Sequence, residues 1–354
     1  MSPHKSLART LSGAGLGAGA VGTFVAARRR SHRSERSSSG SDLLLATPST
    51  EPEVIPVTTA DGAQLRVHAY GPVDGDPIVF SHGWTCSIEY WYPQINALSE
   101  KYRVIAYDQR GHGKSEMGER EPGADVLGDD LAAVIAAAVA PRRKALIVGH
   151  SMGGMTIMAW ASRHPKQAER KASAVLLANT GADHLVSETK LVPLPAFAAF
   201  AKDAVAGVVL GAPVPLPGGA MTRGIFRNRV MSPTSSRRQV EFAQRIILAC
   251  KGRVRAQWGL ALAKFDLLDG LANLNVPVSV IGGSIDKLTP PQHSERLVAE
   301  LERNGNLDRF LMIEGVGHLA NIEAIDQFNA EVIRLRSLGK RGRRSRAGLA
   351  VVAS

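Results

Sequence analysis

Six short apolar runs alternate with longer segments of helical period, and that alternation leaves the chain few folds. The runs are Pro77–Phe80, Arg103–Tyr107, Ala145–Val148, Ala174–Leu177, Val278–Ile281 and Phe310–Ile313. Their length suits strands buried on both faces and is too short for helices. Between most of them lie Asp125–Ala140, Ser151–Arg163, Pro291–Arg303 and Ile322–Arg336, which repeat their apolar residues at helical spacing. Parallel strands need crossovers of a dozen or more residues, and helices in those crossovers cover both faces of the sheet. The expected class is therefore α/β, with a mostly parallel, doubly wound sheet. Ahead of it, Val54–Thr59 and Gln64–Tyr70 flank Asp61-Gly62 and predict a hairpin. No internal repeat is present.

The rhythm breaks once. Residues 183–265 hold no clear buried strand and are rich in Ala, Val, Leu and Pro, so they read as helices with Pro/Gly joints. An insertion of that size between two sheet strands is expected to form a cap. Its apolar character suits the lining of a pocket for a hydrophobic substrate, and equally suits packing on the body.

Chemistry is concentrated where the strand Ala145–Val148 meets the next helix, at Gly149-His150-Ser151-Met152-Gly153. A serine at the tip of a sharp strand-to-helix turn takes strained backbone angles. Gly149 and Gly153 remove the side chains that would collide there. The turn exposes the Ser151 hydroxyl and sets a helix N-terminus behind it, which favours developing negative charge.

A serine nucleophile needs a base, and the base needs an orienting group. The strand Val278–Ile281 runs into Gly282-Gly283-Ser284-Ile285-Asp286. The strand Phe310–Ile313 runs into Glu314-Gly315-Val316-Gly317-His318. Asp286 and His318 thus follow the C-terminal ends of sheet strands, where α/β sites are built. Rival acids fit less well. Asp266 and Asp269 precede a strand, Glu314 lies too near a strand end, and Glu323 belongs to the last helix. Two backbone N–H groups are needed for an oxyanion. Met152 supplies one, and Trp84, in the loop Ser81-His82-Gly83-Trp84, supplies the other. Gly83 permits the close turn, and His82 is expected to hold that loop. Cys86 is expected to be a small packed residue.

Taken in order, His82-Gly83-Trp84, Asp108-Gln109-Arg110-Gly111-His112-Gly113-Lys114-Ser115, Gly149-His150-Ser151-Met152-Gly153-Gly154, the Asp286 turn and Val316-Gly317-His318 resemble the α/β-hydrolase superfamily. They are closest to its small esterases, monoacylglycerol-type lipases and cofactor-free perhydrolases. The resemblance covers about residues 54–338. It implies Ser151 as nucleophile, Asp286 as acid, His318 as base, and Trp84 and Met152 as oxyanion donors, with Asp108–Ser115 as a scaffold loop. Ser151 excludes the relatives whose nucleophile is an aspartate.

The expected activity is hydrolysis of carboxylic esters with a hydrophobic acyl or alcohol part, acting on a small-molecule substrate. Alternatives on the same three residues are perhydrolase or haloperoxidase-type activity and carbon–carbon bond hydrolysis. A ligand receptor without turnover is disfavoured by the intact set. No metal or organic cofactor is implied, because no Gly-rich phosphate loop or ligand cluster is present. Cys86 and Cys250 are the only cysteines, too few for a disulfide framework.

The 354 residues carry a formal charge of +11, which taken whole would suggest a nucleic-acid or anionic-membrane partner. Residues 1–41 hold seven basic residues and one acid, and residues 332–354 hold seven basic residues and none. The middle of the chain is accordingly at −2. The tails lack interleaved aromatics, so no specific nucleic-acid binding is expected. Residues 11–27 are uncharged and apolar, at the short limit for a membrane span, and Arg28-Arg29-Arg30 follows. The chain is thus expected to be cytoplasmic or associated with an anionic membrane surface through its tails. A cleaved signal peptide fits less well. The expected boundaries are a basic and apolar segment over 1–50, the hydrolase domain over 51–338, and a basic tail over 339–354.

Overall fold

A computed structural model describes Gly40, residues 42–185, 187–189 and 219–351, with backbone alone at 220–221 and 339–351. The chain divides into Met1–Leu43 and Leu44–Ser354. Residues 11–27 lie outside the described residues, as does the part of the expected cap over 190–218.

The apolar runs form the centre of an eight-stranded sheet. Its strands are β1 (Glu53–Val54), β4 (Val67–Tyr70), β5 (Asp76–Ser81), β6 (Tyr102–Tyr107), β7 (Ala145–His150), β8 (Ala172–Ala178), β9 (Val278–Gly283) and β10 (Leu307–Ile313). Their order is β1-β4-β6-β5-β7-β8-β9-β10. From β6 to β10 all neighbours are parallel, whereas β4 and β1 join antiparallel at one edge. Strands β6, β7 and β9 are buried along their whole length, which is why their sequences show no polar alternation.

The hairpin expected around Asp61-Gly62 is divided in the structure. Only β2 (Val57–Thr58) and β3 (Gln64–Leu65) pair as a ribbon. At Arg66 the backbone turns to other partners: its N–H donates to Ser115 Oγ at 2.8 Å, and its carbonyl accepts from Asp108 N at 2.9 Å. Strand β4 then continues beside β6. Partners remote in sequence decided this, and a local pattern could not report them.

Each sheet face has its own apolar layer. On one lie α2 (Ala124–Ala138), α3 (Met152–Arg163) and α9 (Pro291–Arg303), contributing Leu131, Ile135, Trp160, Leu297 and Leu301. On the other lie α1 (Tyr92–Leu98) and α11 (Ile325–Val351), contributing Ile95, Leu98, Phe328, Val332 and Leu335. Each such side chain contributes about 1.5–3 kcal/mol on full burial. The Asp108–Ser115 loop braces the edge. The fully buried Arg110 guanidinium is held between Asp61, at 2.6 and 2.9 Å, and Asp130, at 2.8 and 2.9 Å. Asp108 accepts from Ile88 N at 2.7 Å and Lys114 N at 2.8 Å.

Among the described residues, the segment between β8 and β9 contains helices and no strand. They are α5 (Ala220–Ile225), which runs into a π-turn over Phe226–Val230, α6 (Arg237–Ala249), α7 (Gly252–Leu262) and α8 (Asp269–Ala272). Ser236 and Gln239 form a capping box at the start of α6. Helix α7 is tied to the body by two indoles: Trp84 Nε1 donates to Arg255 O and Trp258 Nε1 to Arg110 O, both at 3.0 Å.

The last helix differs from its expected bounds of Ile322–Arg336. A short α10 (Ala320–Glu323) breaks at Ala324, whose backbone leaves the helical region at φ −130 and ψ 52. Helix α11 then runs on through the basic segment to Val351. The extension contains no proline, and its arginines, alanines and leucines are good helix formers that offset Gly339, Gly342 and Gly348. Among the described residues no helix is long and apolar enough to cross a membrane.

Candidate active site

Strand β7 ends at His150 and α3 begins at Met152, so Ser151 alone makes the corner. Its backbone, at φ 52 and ψ −119, is strained for a residue with a side chain. The corner is pinned by Ser151 N donating to Ala178 O at 3.0 Å and Thr180 Oγ1 donating to Ser151 O at 2.7 Å. A Cβ on Gly153 would overlap the Ser81 carbonyl, so α3 could not approach β5 with any other residue there. Gly149 meets the Gly153 backbone in the same way.

The loop after β5 lies directly beside this corner. A Cβ on Gly83 would stand 3.2 Å from Ser151 Cβ and 2.9 Å from His150 Nδ1. His82 is bonded into this loop. Gln109 N donates to His82 Nε2 at 3.0 Å, so His82 carries its proton on Nδ1 and donates to Gly83 O at 2.7 Å. The Gln109 amide also donates to His82 O. Among the described residues, the backbone N–H groups of Trp84 and Met152 donate to no protein acceptor. They flank Ser151 in the chain and in the adjoining loop.

The other two residues are joined to each other. Asp286, beyond β9, and His318, beyond β10, are both buried, with His318 Nδ1 2.8 Å from Asp286 Oδ2. Asp286 accepts four further hydrogen bonds. Leu288 N, at 2.8 Å, and Thr289 N, at 3.1 Å, reach Oδ1. Thr289 Oγ1, at 2.9 Å, and Asn179 Nδ2, at 3.2 Å, reach Oδ2. Burial pushes this carboxyl up, but His318 and these donors outweigh it and hold it below the ordinary value. Asp286 therefore stays ionised and accepts the Nδ1 proton of His318. Asp266, Asp269 and Glu314 are exposed. Of the acids, Asp286 alone bonds the His318 ring among the described residues.

Three supporting residues escaped the sequence reading. Asn179 links the acid to the base loop, because its amide also donates to Gly317 O at 3.1 Å. Thr289 buttresses Asp286. His150 packs its ring between Tyr90 and His318, with centroids 4.9 Å from each, and donates from Nε2 to His318 O at 2.8 Å. Position within Gly149–Gly153 was the only sequence signal for His150, and none marked the other two. Cys86 is buried and free, and burial pushes its thiol up, so it is not poised as a thiolate nucleophile. Among the described residues no three His, Cys, Asp or Glu side chains converge to hold a metal ion.

Burial lowers His82 to about 4 and His150 to about 3 from an ordinary 6.5. Below pH 6.5 the unfolded chain therefore takes up protons that the folded chain refuses. Each ring then withdraws up to about 1.4 kcal/mol of stability per pH unit until its folded value is reached. Ring nitrogen shifts measured by NMR at pH 5.5 should show both imidazoles neutral. A protonated signal from either would contradict this account.

A strained serine corner after β7, with an acid after β9 and a histidine after β10, defines a nucleophile-elbow α/β protein. The chain belongs to the α/β-hydrolase fold family, whose model matches residues 76–325. It is an enzyme of that family. A non-heme chloroperoxidase from Streptomyces lividans is 32% identical over 267 residues, covering 74% of this chain and 92% of that protein. A bifunctional esterase/perhydrolase from Acinetobacter calcoaceticus is 28% identical, covering 71% and 89%. The solved structure of a thermophilic esterase from Thermogutta terrifontis shares the fold with a TM-score of 0.63 at 22% identity, over 82% of this chain and 100% of that one.

Proposed function

We propose that the protein hydrolyses carboxylic esters bearing a hydrophobic acyl or alcohol part, through an acyl-enzyme on Ser151. The observation that carries this is the buried His318–Asp286 pair, at 2.8 Å, whose His318 carbonyl is bonded to His150, the residue before a Ser151 held in elbow geometry. Ser151 Oγ attacks the acyl carbon and His318 Nε2 takes its proton. Asp286 stabilises the imidazolium that results. The N–H groups of Trp84 and Met152 receive the negative charge on the tetrahedral oxygen. As that intermediate collapses, His318 returns the proton to the departing alkoxide. Water, deprotonated by the same nitrogen, then releases the acid and regenerates Ser151. The helical insertion between β8 and β9 acts as the cap, and its apolar content favours a hydrophobic substrate.

A p-nitrophenyl ester series from acetate to laurate tests this. Turnover should be measurable and should rise with chain length before declining. Failure to cleave any member would end the esterase reading. A second reading has hydrogen peroxide replace water as acyl acceptor, releasing a peracid. It is favoured by relatives named as a chloroperoxidase and an esterase/perhydrolase. Adding peroxide to the ester assay separates the two, since only a perhydrolase accumulates peracid.

A further inference from the structure

The carboxylate of Glu323 joins the loop that carries His318 to the foot of the cap. Oε1 accepts from Leu319 N at 2.9 Å, and Oε2 accepts from Gly317 N at 3.1 Å. These are the residues on either side of His318. The same Oε2 accepts from Ser232 N at 2.6 Å and Ser235 Oγ at 3.2 Å, between the π-turn and α6. Two more bonds run across the same seam. His318 N donates to Val230 O at 2.8 Å, and Gln239 Nε2 donates to Ile322 O at 2.7 Å. A Cβ on Gly317 would press on the Met231 backbone at 2.7 Å, so the two segments are in close contact.

We propose that Glu323 is a positioning residue that makes the placement of His318 depend on the seating of the cap segment 230–235. All four of its partners are donors, so a carboxylate satisfies them and no other side chain of this length does. A glutamine amide would turn its NH2 toward Leu319 N in one orientation and toward the other three donors in the flipped one. Either way the loop loses one of its two anchors beside His318. This proposal rests on His318 being the base of the proposed reaction. It places the cap's lasting attachment to the site at 230–235, a foot that cannot lift without releasing the base.

The test is a mutant cycle on the full chain, read by p-nitrophenyl butyrate turnover, by the rate of fluorophosphonate labelling and by thermal unfolding. Glu323→Gln should lower kcat and the labelling rate by about 10²-fold, the scale of an ångström-level misplacement, with KM little changed. In a His318→Ala background the same substitution should add no further loss, because the residue acts only through that ring. Glu323→Asp, which keeps the charge but draws it back by one methylene, should fall between wild type and Glu323→Gln. It takes over the cycle if Glu323→Gln does not fold. Wild-type kcat in a folded Glu323 variant overturns the proposal. So does an equal loss in the presence and absence of His318, since that would be a general structural effect. A wild type that does not label, or that labels equally as Ser151→Ala, refutes the site assignment instead, so the two failures are distinct.

Discussion

Ser151→Ala should lose covalent labelling by fluorophosphonates altogether and should lower ester turnover by about 10⁶-fold. That factor corresponds to about 8 kcal/mol of transition-state stabilisation. It arises because the acyl-enzyme path closes: without Oγ, water must attack directly, helped only by binding and by the N–H groups of Trp84 and Met152. The substitution removes one oxygen from a half-buried side chain that makes no hydrogen bond through that oxygen among the described residues. Alanine at the corner keeps the same backbone strain, at φ 52. The fold should therefore survive, and the unfolding midpoint should stay near wild type. Intact-mass spectrometry after probe treatment gives the clearest reading. A labelled Ser151→Ala protein would place the nucleophile elsewhere.

Asp286→Asn should lower kcat by about 10⁴-fold while the protein still binds its ester. The carboxylate accepts from five donors, among them the His318 ring at 2.8 Å. An amide has one acceptor oxygen. If that oxygen faces Leu288 and Thr289, its NH2 meets the His318 Nδ1 proton. The ring then moves its proton to Nε2, where it cannot accept from Ser151. If the oxygen faces His318, the two backbone N–H groups lose their acceptor, and one to a few kcal/mol of stability goes with them. Steady-state kinetics beside urea unfolding separates the two orientations. A variant with both wild-type kcat and wild-type stability would show that another acid orients the base, and Glu323 would then be the next residue to test.

Much of this was legible because the relevant rules are local. Burial on both faces forces an unbroken apolar run, so β6, β7 and β9 can be found from short windows of sequence. The Gly149–Gly153 spacing follows from collisions within a single turn, which the structure shows at Gly149 against the Gly153 backbone, although glycine at 153 is also required by the carbonyl of Ser81 on β5. The candidates Ser151, Asp286 and His318 could be picked out because each follows its own strand end, and those strand ends are marked by glycines. The divided hairpin shows where such reasoning stops. Its halves are drawn apart by Ser115 and Asp108, about fifty residues on.

The sequence by itself determined the α/β class and the serine corner, since they depend on strand length and turn geometry, and chain order singled out Asp286 and His318 as candidates. The tertiary structure alone decided what surrounds them. Asn179, His150 and Glu323 are ordinary residues in their own neighbourhoods. Their roles come from hydrogen bonds across as many as 168 residues, as between His150 and His318. Local propensity carries no trace of such a bond, because the atoms meet only after the sheet has assembled. The net charge of +11 belongs largely to the two tails. The surroundings of Ser151, by contrast, include the buried His82, His150, Asp286 and His318.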